Sequence, residues 1–296
     1  MKILITGSNG LLGQKLVAYI EEKGYDYVAT SKGENRNSKC PVERYRSMDI
    51  TVEQQVESVL TEEKPTHVIH TAALTNVDLC ETDPELCERM NVTATSYLIN
   101  ACNKIKAHFQ LLSTDFIFDG KKGNYKEDDE PNPLSEYATS KLKAENLVKS
   151  LCEVEWSIVR TIILYGTGEN LTRSNIIVWA KGALEKGGEL SIVDDQFRAP
   201  TWAEDLAVGC MSILEHGETG VFHLSGPETM SIYTIIVRIA EHFGYDYSRV
   251  SKISSDTLNQ AAKRPPKTGF DLSKAYSKIH YRPHTLEETL SIIFEE

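Results

Sequence analysis

A phenol and an ammonium stand one helical turn apart in Tyr137-Ala138-Thr139-Ser140-Lys141. Side chains at i and i+4 share one face of a helix. An ammonium beside a phenol stabilises the phenolate and draws its proton affinity down from about 10 toward working pH, so such a tyrosine can hand a proton to a carbonyl oxygen during a reduction. The spacing alone is weak, because Tyr and Lys are common on solvated helix faces. Its weight comes from Ser113-Thr114-Asp115, which ends the expected strand Gln110-Leu111-Leu112. At the carboxyl end of a strand in a doubly wound sheet, a hydroxyl can hold the substrate oxygen beside the tyrosine. Thr114 is expected to be that hydroxyl, and Ser113 to cap a turn. Thr114, Tyr137 and Lys141 are therefore the expected catalytic set.

A second word, Gly7-Ser8-Asn9-Gly10-Leu11-Leu12-Gly13, follows an apolar run and opens a helical pattern. Glycines there adopt angles closed to other residues and let a pyrophosphate approach the main chain at the positive end of the helix. Gly7, Asn9, Gly10, Leu11, Leu12 and Gly13 are expected to hold a dinucleotide. NAD sites usually carry an acid about 20 residues further on, yet the second strand ends Val28-Ala29-Thr30-Ser31-Lys32, with Arg36 soon after. Ser31, Lys32 and Arg36 suit a 2′-phosphate, so the expected cofactor is NADPH; Glu34 leaves NADH open. Asp49 and Ile50 are placed at the adenine.

Elements that position these words alternate through the first half. Strands are expected near Lys2-Thr6, Tyr25-Thr30, Thr66-His70, Phe109-Ser113 and Trp156-Arg160, with helices near Leu11-Lys23, Val52-Glu63, Pro84-Lys104 and Ser135-Leu151. The strands are continuous apolar runs, as when helices cover both faces of a parallel sheet. The expected fold is α/β, a doubly wound parallel sheet of Rossmann type. After Tyr165-Gly166 shorter helices follow, near Ser174-Lys186, Glu204-Glu215, Ile232-Phe243 and Leu286-Phe294. That change divides the chain into a dinucleotide-binding domain at 1–165 and a smaller, mainly substrate-binding lobe at 166–296. Gly220-Val221-Phe222-His223-Leu224 is a strand that could return to the main sheet.

The chain has 296 residues, 32 basic and 43 acidic, for a net charge of −11. That balance argues against a general nucleic-acid surface. No apolar run reaches the ~20 residues of a membrane span, and Met1-Lys2-Ile3-Leu4-Ile5 leads straight into the glycine turn, so no membrane association and a cytoplasmic location are expected. Cys40, Cys80, Cys87, Cys102, Cys152 and Cys210 lack metal-ligand spacing and are read as reduced packing residues. No metal site is expected. His67 and His70 bracket a buried strand and are read as satisfied by backbone groups; Glu127-Asp128-Asp129-Glu130 is read as a solvated turn or part of a lid. The sequons at Asn91 and Asn170 carry no weight in a cytoplasmic chain.

Over nearly its whole length the chain resembles the extended short-chain dehydrogenases, and within them the dTDP-4-dehydrorhamnose reductases. The resemblance runs through the GxxGxxG turn, His70-Thr71-Ala72-Ala73, Val77-Asp78, Ser113-Thr114-Asp115-Phe116-Ile117-Phe118-Asp119-Gly120, the tyrosine word, Arg160-Thr161, Pro200-Thr201-Trp202, Asp205-Leu206-Ala207 and Arg264-Pro265. It implies hydride delivery from NAD(P)H to the C4 keto group of a nucleotide-linked deoxysugar, with Lys141 also holding the nicotinamide ribose and Ala72 and Ala73 lining the cofactor site. Thr75, Asp115, Arg198, Trp202 and Arg264 are the expected substrate contacts. Arg198 and Trp202 reach the nucleotide or merely pack, and Arg264 with Lys267 forms a small basic cluster for a diphosphate or a solvated loop. Sugar-nucleotide dehydratases carry Thr-Asp-Glu, whereas Thr114-Asp115-Phe116 lacks the second acid, so dehydration is set aside. Ile162-Ile163-Leu164-Tyr165 departs from the reductases, which usually have a tryptophan there, and Ala138 stands where glycine is usual. With Phe222-His223-Leu224-Ser225-Gly226, the aliphatic segment is similar to the regulatory β subunit of methionine adenosyltransferase, a non-catalytic relative that binds NADP and a partner enzyme. A sugar-nucleotide epimerase would share the catalytic set. Related enzymes pair through helices, so a homodimer is compatible with the sequence.

Overall fold

β-Rich runs through the first half of the chain pair side by side because most have two apolar faces, the polar edge run Tyr45–Ser47 being the exception. In the computed structural model, which describes residues 1–294, they are β1 (Lys2–Thr6), β2 (Asp26–Ser31), β3 (Tyr45–Ser47), β4 (His67–His70), β5 (His108–Thr114) and β6 (Trp156–Thr161). The small strands β7 (Leu164–Tyr165), β8 (Leu190–Val193), β9 (Phe197–Arg198) and β10 (Thr201–Trp202) follow, then β11 (Gly220–Leu224), β12 (Met230–Ser231) and β13 (Val250–Ile253). The central sheet has seven strands in the order β11-β6-β5-β4-β1-β2-β3, every neighbour parallel. Gly220–Leu224 does join it, pairing Leu224 with Thr161. The strand order reverses between β1 and β4, which opens a crevice at their carboxyl ends.

Helices cover both faces. They are α1 (Leu11–Lys23), α2 (Glu53–Glu63), α3 (Val77–Thr82), α4 (Pro84–Glu88), α5 (Ala94–Ile105), α6 (Glu136–Leu151), α7 (Ile176–Glu185), α8 (Ala203–Glu215), α9 (Ile232–Phe243), α10 (Ser273–Lys278) and α11 (Leu286–Phe294). Leu16 and Ile20 of α1 share one core with Leu206 and Cys210 of α8. Leu60 of α2, Leu98 of α5 and Val148 of α6 build the other. β5, the strand that carries Thr114, is buried at every position. Each such Leu or Ile contributes about 1.5–3 kcal/mol by leaving water, so the strand ends that carry the chemistry stand on a rigid base. A third core joins Tyr165, Ile177, Trp202, Ile235, Ile239 and Leu290.

Several elements depart from the expectation. The single helix expected at Pro84-Lys104 is α4, a π-wound turn at Arg89–Thr93, and α5. β3, α3, α10 and the two- to four-residue ladders pairing β7 with β10, β9 with β12 and β8 with β13 are too short to show periodicity. No helix among the described residues is long and apolar enough to cross a membrane.

Candidate active site

The turn between β1 and α1 shows why its glycines are needed. Gly7 has φ +72°, and a Cβ there would lie 2.8 Å from the Ala72 nitrogen and 2.8 Å from Thr71 Oγ1. At Gly13 a Cβ would come within 2.3 Å of the Gly7 carbonyl oxygen. Gly10 caps α1 without a side-chain hydrogen bond, which leaves first-turn N–H groups for an anion. Gln14, absent from the sequence expectation, ties the turn to the far loop: Nε2 donates to the Asn9 oxygen at 3.1 Å and to the Glu169 oxygen at 2.8 Å.

From this turn a cavity of about 930 Å³ runs past Ala72, Ala73 and Thr75 to Thr114, Tyr137 and Lys141, and on to Thr172–Ile176 and Arg198. Its wall at the other end includes Ser31, Lys32, Arg36, Asp49 and Ile50. Lys32 pairs with Asp49 at 2.8 Å. Arg36 is exposed, and its guanidinium has no hydrogen-bond partner among the described residues. Its backbone is fixed instead, the N–H donating to Asn9 Oδ1 at 2.9 Å.

Tyr137 and Lys141 stand on the buried face of α6, 9% and 4% exposed. Ser135 starts that helix by accepting from the Ala138 N–H at 3.3 Å. Burial pushes the Tyr137 phenol well above its ordinary value, and the Thr114 hydroxyl opposes the rise. In the chain by itself burial is the largest influence on this phenol, and it acts against the fall expected from Lys141. Tyr137 is a protonated phenol, the form a general acid needs. Burial lowers Lys141 to about 8, opposed by Glu145. Thr114 Oγ1 donates to Asp115 Oδ1 at 3.1 Å and accepts from the Phe116 N–H at 3.2 Å. Ser113 caps no turn: it donates to Glu145 Oε1 at 2.6 Å.

Asn91, read only as part of a sequon, is a buried hub in the π-wound turn. It accepts from the Leu74 N–H at 2.8 Å and donates to the Leu74 oxygen at 3.1 Å and Ser140 Oγ at 3.0 Å. Ser140 in turn donates to the Tyr137 carbonyl at 2.7 Å. The loop carrying Ala73 and Thr75 is thereby fastened to the helix turn between the phenol and the ammonium. The extra residue of a π turn marks such places, but its signal lies in helix winding rather than residue type. His70 meets Thr6 Oγ1 at 2.7 Å and Thr95 Oγ1 at 3.3 Å, hydroxyls rather than the backbone groups expected. Glu127 is half-buried, its carboxylate accepting from the His223 N–H at 3.2 Å.

Among the expected substrate contacts, Thr75, Asp115 and Arg198 line the cavity. Burial raises the Asp115 carboxyl, opposed by Arg198, and Thr268 donates to its other oxygen. Arg198 is 3% exposed, donates to the Phe197 and Pro265 carbonyls at 2.6 and 2.7 Å, and lies over the Phe116 ring at 5.3 Å. Trp202 and Arg264 are not part of the cavity wall. Trp202 packs edge-on against His284 at 5.2 Å within the third core, and Arg264 forms a two-pronged pair with Asp78, the shorter arm 2.7 Å. Among the described residues no cluster of side chains could hold a metal ion, and all six cysteines are free.

A glycine turn at the switch point of a parallel sheet, joined by one cavity to a hydroxyl, a phenol and an ammonium, defines a Rossmann-type α/β protein. The chain belongs to the family described as the RmlD substrate binding domain, which matches residues 1–296. It is 30% identical, over 99% of its length and 97% of the relative's, to the probable low-salt glycan biosynthesis reductase Agl14 of Haloferax volcanii. It is 28% identical to methionine adenosyltransferase 2 subunit beta of Xenopus laevis, over 92% of this chain and 81% of that one. The crystal structure of dTDP-4-dehydrorhamnose reductase from Bacillus anthracis, in complex with NADP, matches with a TM-score of 0.86 at 27% identity, covering 99% of this chain and 98% of that one.

Proposed function

We propose that this protein reduces the C4 keto group of a nucleotide-linked deoxysugar, with NADPH as the electron source. The observation that carries this reading is the meeting of Thr114, Tyr137 and Lys141 on the wall of the cavity that begins at the glycine turn. The turn fits a dinucleotide, because the backbone space at Gly7 and Gly13 excludes a side chain and the helix end is free for a pyrophosphate. Ser31, Lys32 and Arg36 hold the 2′-phosphate, and Lys141 holds the nicotinamide ribose. NADPH, when bound, supplies the hydride.

The chain's own groups do the rest. Tyr137 gives its phenolic proton to the sugar oxygen as charge develops there, a contribution of about 10²- to 10⁴-fold. Thr114 turns from Asp115 to hold the same oxygen, and Lys141 supplies a positive charge beside the phenol. Arg198, with no ion-pair partner among the described residues, takes the diphosphate. A thermal-shift screen of sugar nucleotides with and without NADPH tests the reading, because a ligand of the folded state raises its melting temperature. A nucleotide-linked 4-keto sugar should stabilise the protein further in the presence of NADPH. No response to any sugar nucleotide would count against it.

A second reading is a cofactor-binding regulatory subunit, favoured by the likeness to methionine adenosyltransferase 2 subunit beta and by the aliphatic Ile162-Ile163-Leu164 wall. Co-purification of a large partner from the protein's own cells, without sugar-nucleotide turnover, would favour it.

A further inference from the structure

Behind the catalytic set lies a buried ion pair that the proton transfer does not use. Glu145 is four residues beyond Lys141 on α6 and so stands on the same face one turn away. It is 0% exposed, and Arg160 on β6 is 1% exposed. The carboxylate accepts from Arg160 Nε at 3.0 Å and Nη2 at 2.8 Å, and from Ser113 Oγ at 2.6 Å. Arg160 is itself anchored, donating to the Glu127 carbonyl at 3.0 Å and meeting His223 Nε2 at 3.3 Å. Tyr137 lies one turn before Lys141 on the same helix; the other charged or titratable groups about this cluster are Lys149, 3.6 Å from Glu145, the Cys87 thiol on α4 and His70 on β4, whose imidazole burial keeps neutral. Among the described residues Lys141 has no direct ion pair. A fully buried ammonium without a counter-charge falls to a pKa of about 5–6.

We propose that Glu145 is a positioning residue that keeps Lys141 a cation at neutral pH from one helical turn away, held at that depth by the Arg160 fork. Its consequence for catalysis rests on the reductase reading, whereas the charge on Lys141 can be read without turnover.

An NMR titration of isotopically labelled lysine side chains in the full-length protein, with Lys141→Met to assign the signal, measures that charge. In the wild type Lys141 should titrate near 8; a midpoint below about 6 would overturn the proposal. Glu145→Gln/Arg160→Met removes both charges, leaving neither buried and unpaired. The Lys141 midpoint should then fall by about one unit, a ~10-fold loss of proton affinity, and an unmoved midpoint overturns the proposal. Glu145→Asp, which keeps the carboxylate, should hold the midpoint close to the wild type; a fall as large as that of the double variant would trace the change to packing rather than charge and overturn the proposal. In an active enzyme the alkaline limb of kcat/KM should follow the NMR midpoint. Wild-type protein without turnover counts against the reductase reading; turnover with an unmoved midpoint counts against Glu145.

Discussion

Thr114 and Ser113, neighbours at the end of β5, commit their hydroxyls to different carboxylates, Thr114 to Asp115 at 3.1 Å and Ser113 to Glu145 at 2.6 Å. Both residues line the cavity, but the Ser113 hydroxyl is committed to the buried Glu145–Arg160 pair, which leaves Thr114 as the hydroxyl free for a substrate oxygen. Thr114→Val should therefore lower kcat/KM by about 10²- to 10³-fold, while Thr114→Ser keeps most of the activity. Steady-state kinetics with a 4-keto sugar nucleotide checks this. Wild-type rates in Thr114→Val would remove the residue from the mechanism.

Gly13→Ala should weaken cofactor binding and stability together. Its Cβ would sit 2.3 Å from the Gly7 oxygen, so the backbone must shift, at a cost of about 1–3 kcal/mol. Fluorescence titration with NADPH and a melting curve read the two effects, and an unchanged Kd would mean that the turn holds no pyrophosphate.

Cofactor choice is expected to follow Arg36. With its guanidinium unpartnered among the described residues, Arg36→Ala should weaken NADPH binding by about 10-fold, the loss of one charge-assisted contact of roughly 1.4 kcal/mol. NADH binding should barely change. Equal losses for both cofactors would place the 2′-phosphate elsewhere.

Acid should destabilise the fold through its buried imidazoles. Burial holds His70 and His223 at about 3, below the ordinary 6.5. As pH falls through 6.5, the unfolded chain takes up protons that the native state refuses until about pH 3, so stability declines across that window by roughly 1.4 kcal/mol per pH unit per histidine. The melting temperature at pH 5 should lie on the order of 5–10 °C below that at pH 7. Equal values would show that these rings accept protons in the native state.

How much of this was legible in the residues follows from the kind of signal each carries. The glycine turn, the strand ending in Thr114 and the helix of Tyr137 and Lys141 were readable because strand and helix periods and the glycine spacing are local. Asn91 was not, since its partners Leu74 and Ser140 come from other elements and its place depends on a π-wound turn. Arg264 was read as a diphosphate contact or part of a solvated loop, and it pairs with Asp78, 186 residues away, a partner no local pattern shows. For Trp202 the residues left nucleotide contact and packing equally open, and its ring packs in the third core. The burial that raises the phenol was hidden for a related reason: charge proximity can be read from spacing, whereas desolvation depends on everything packed around the side chain.

The most direct test is the turnover of Tyr137→Phe with dTDP-4-dehydrorhamnose, followed by NADPH oxidation, in protein shown to bind the cofactor as the wild type does. Loss of the acid predicts a rate about 10²- to 10⁴-fold lower with cofactor affinity unchanged. A Tyr137→Phe enzyme that turns over as fast as the wild type would contradict the account.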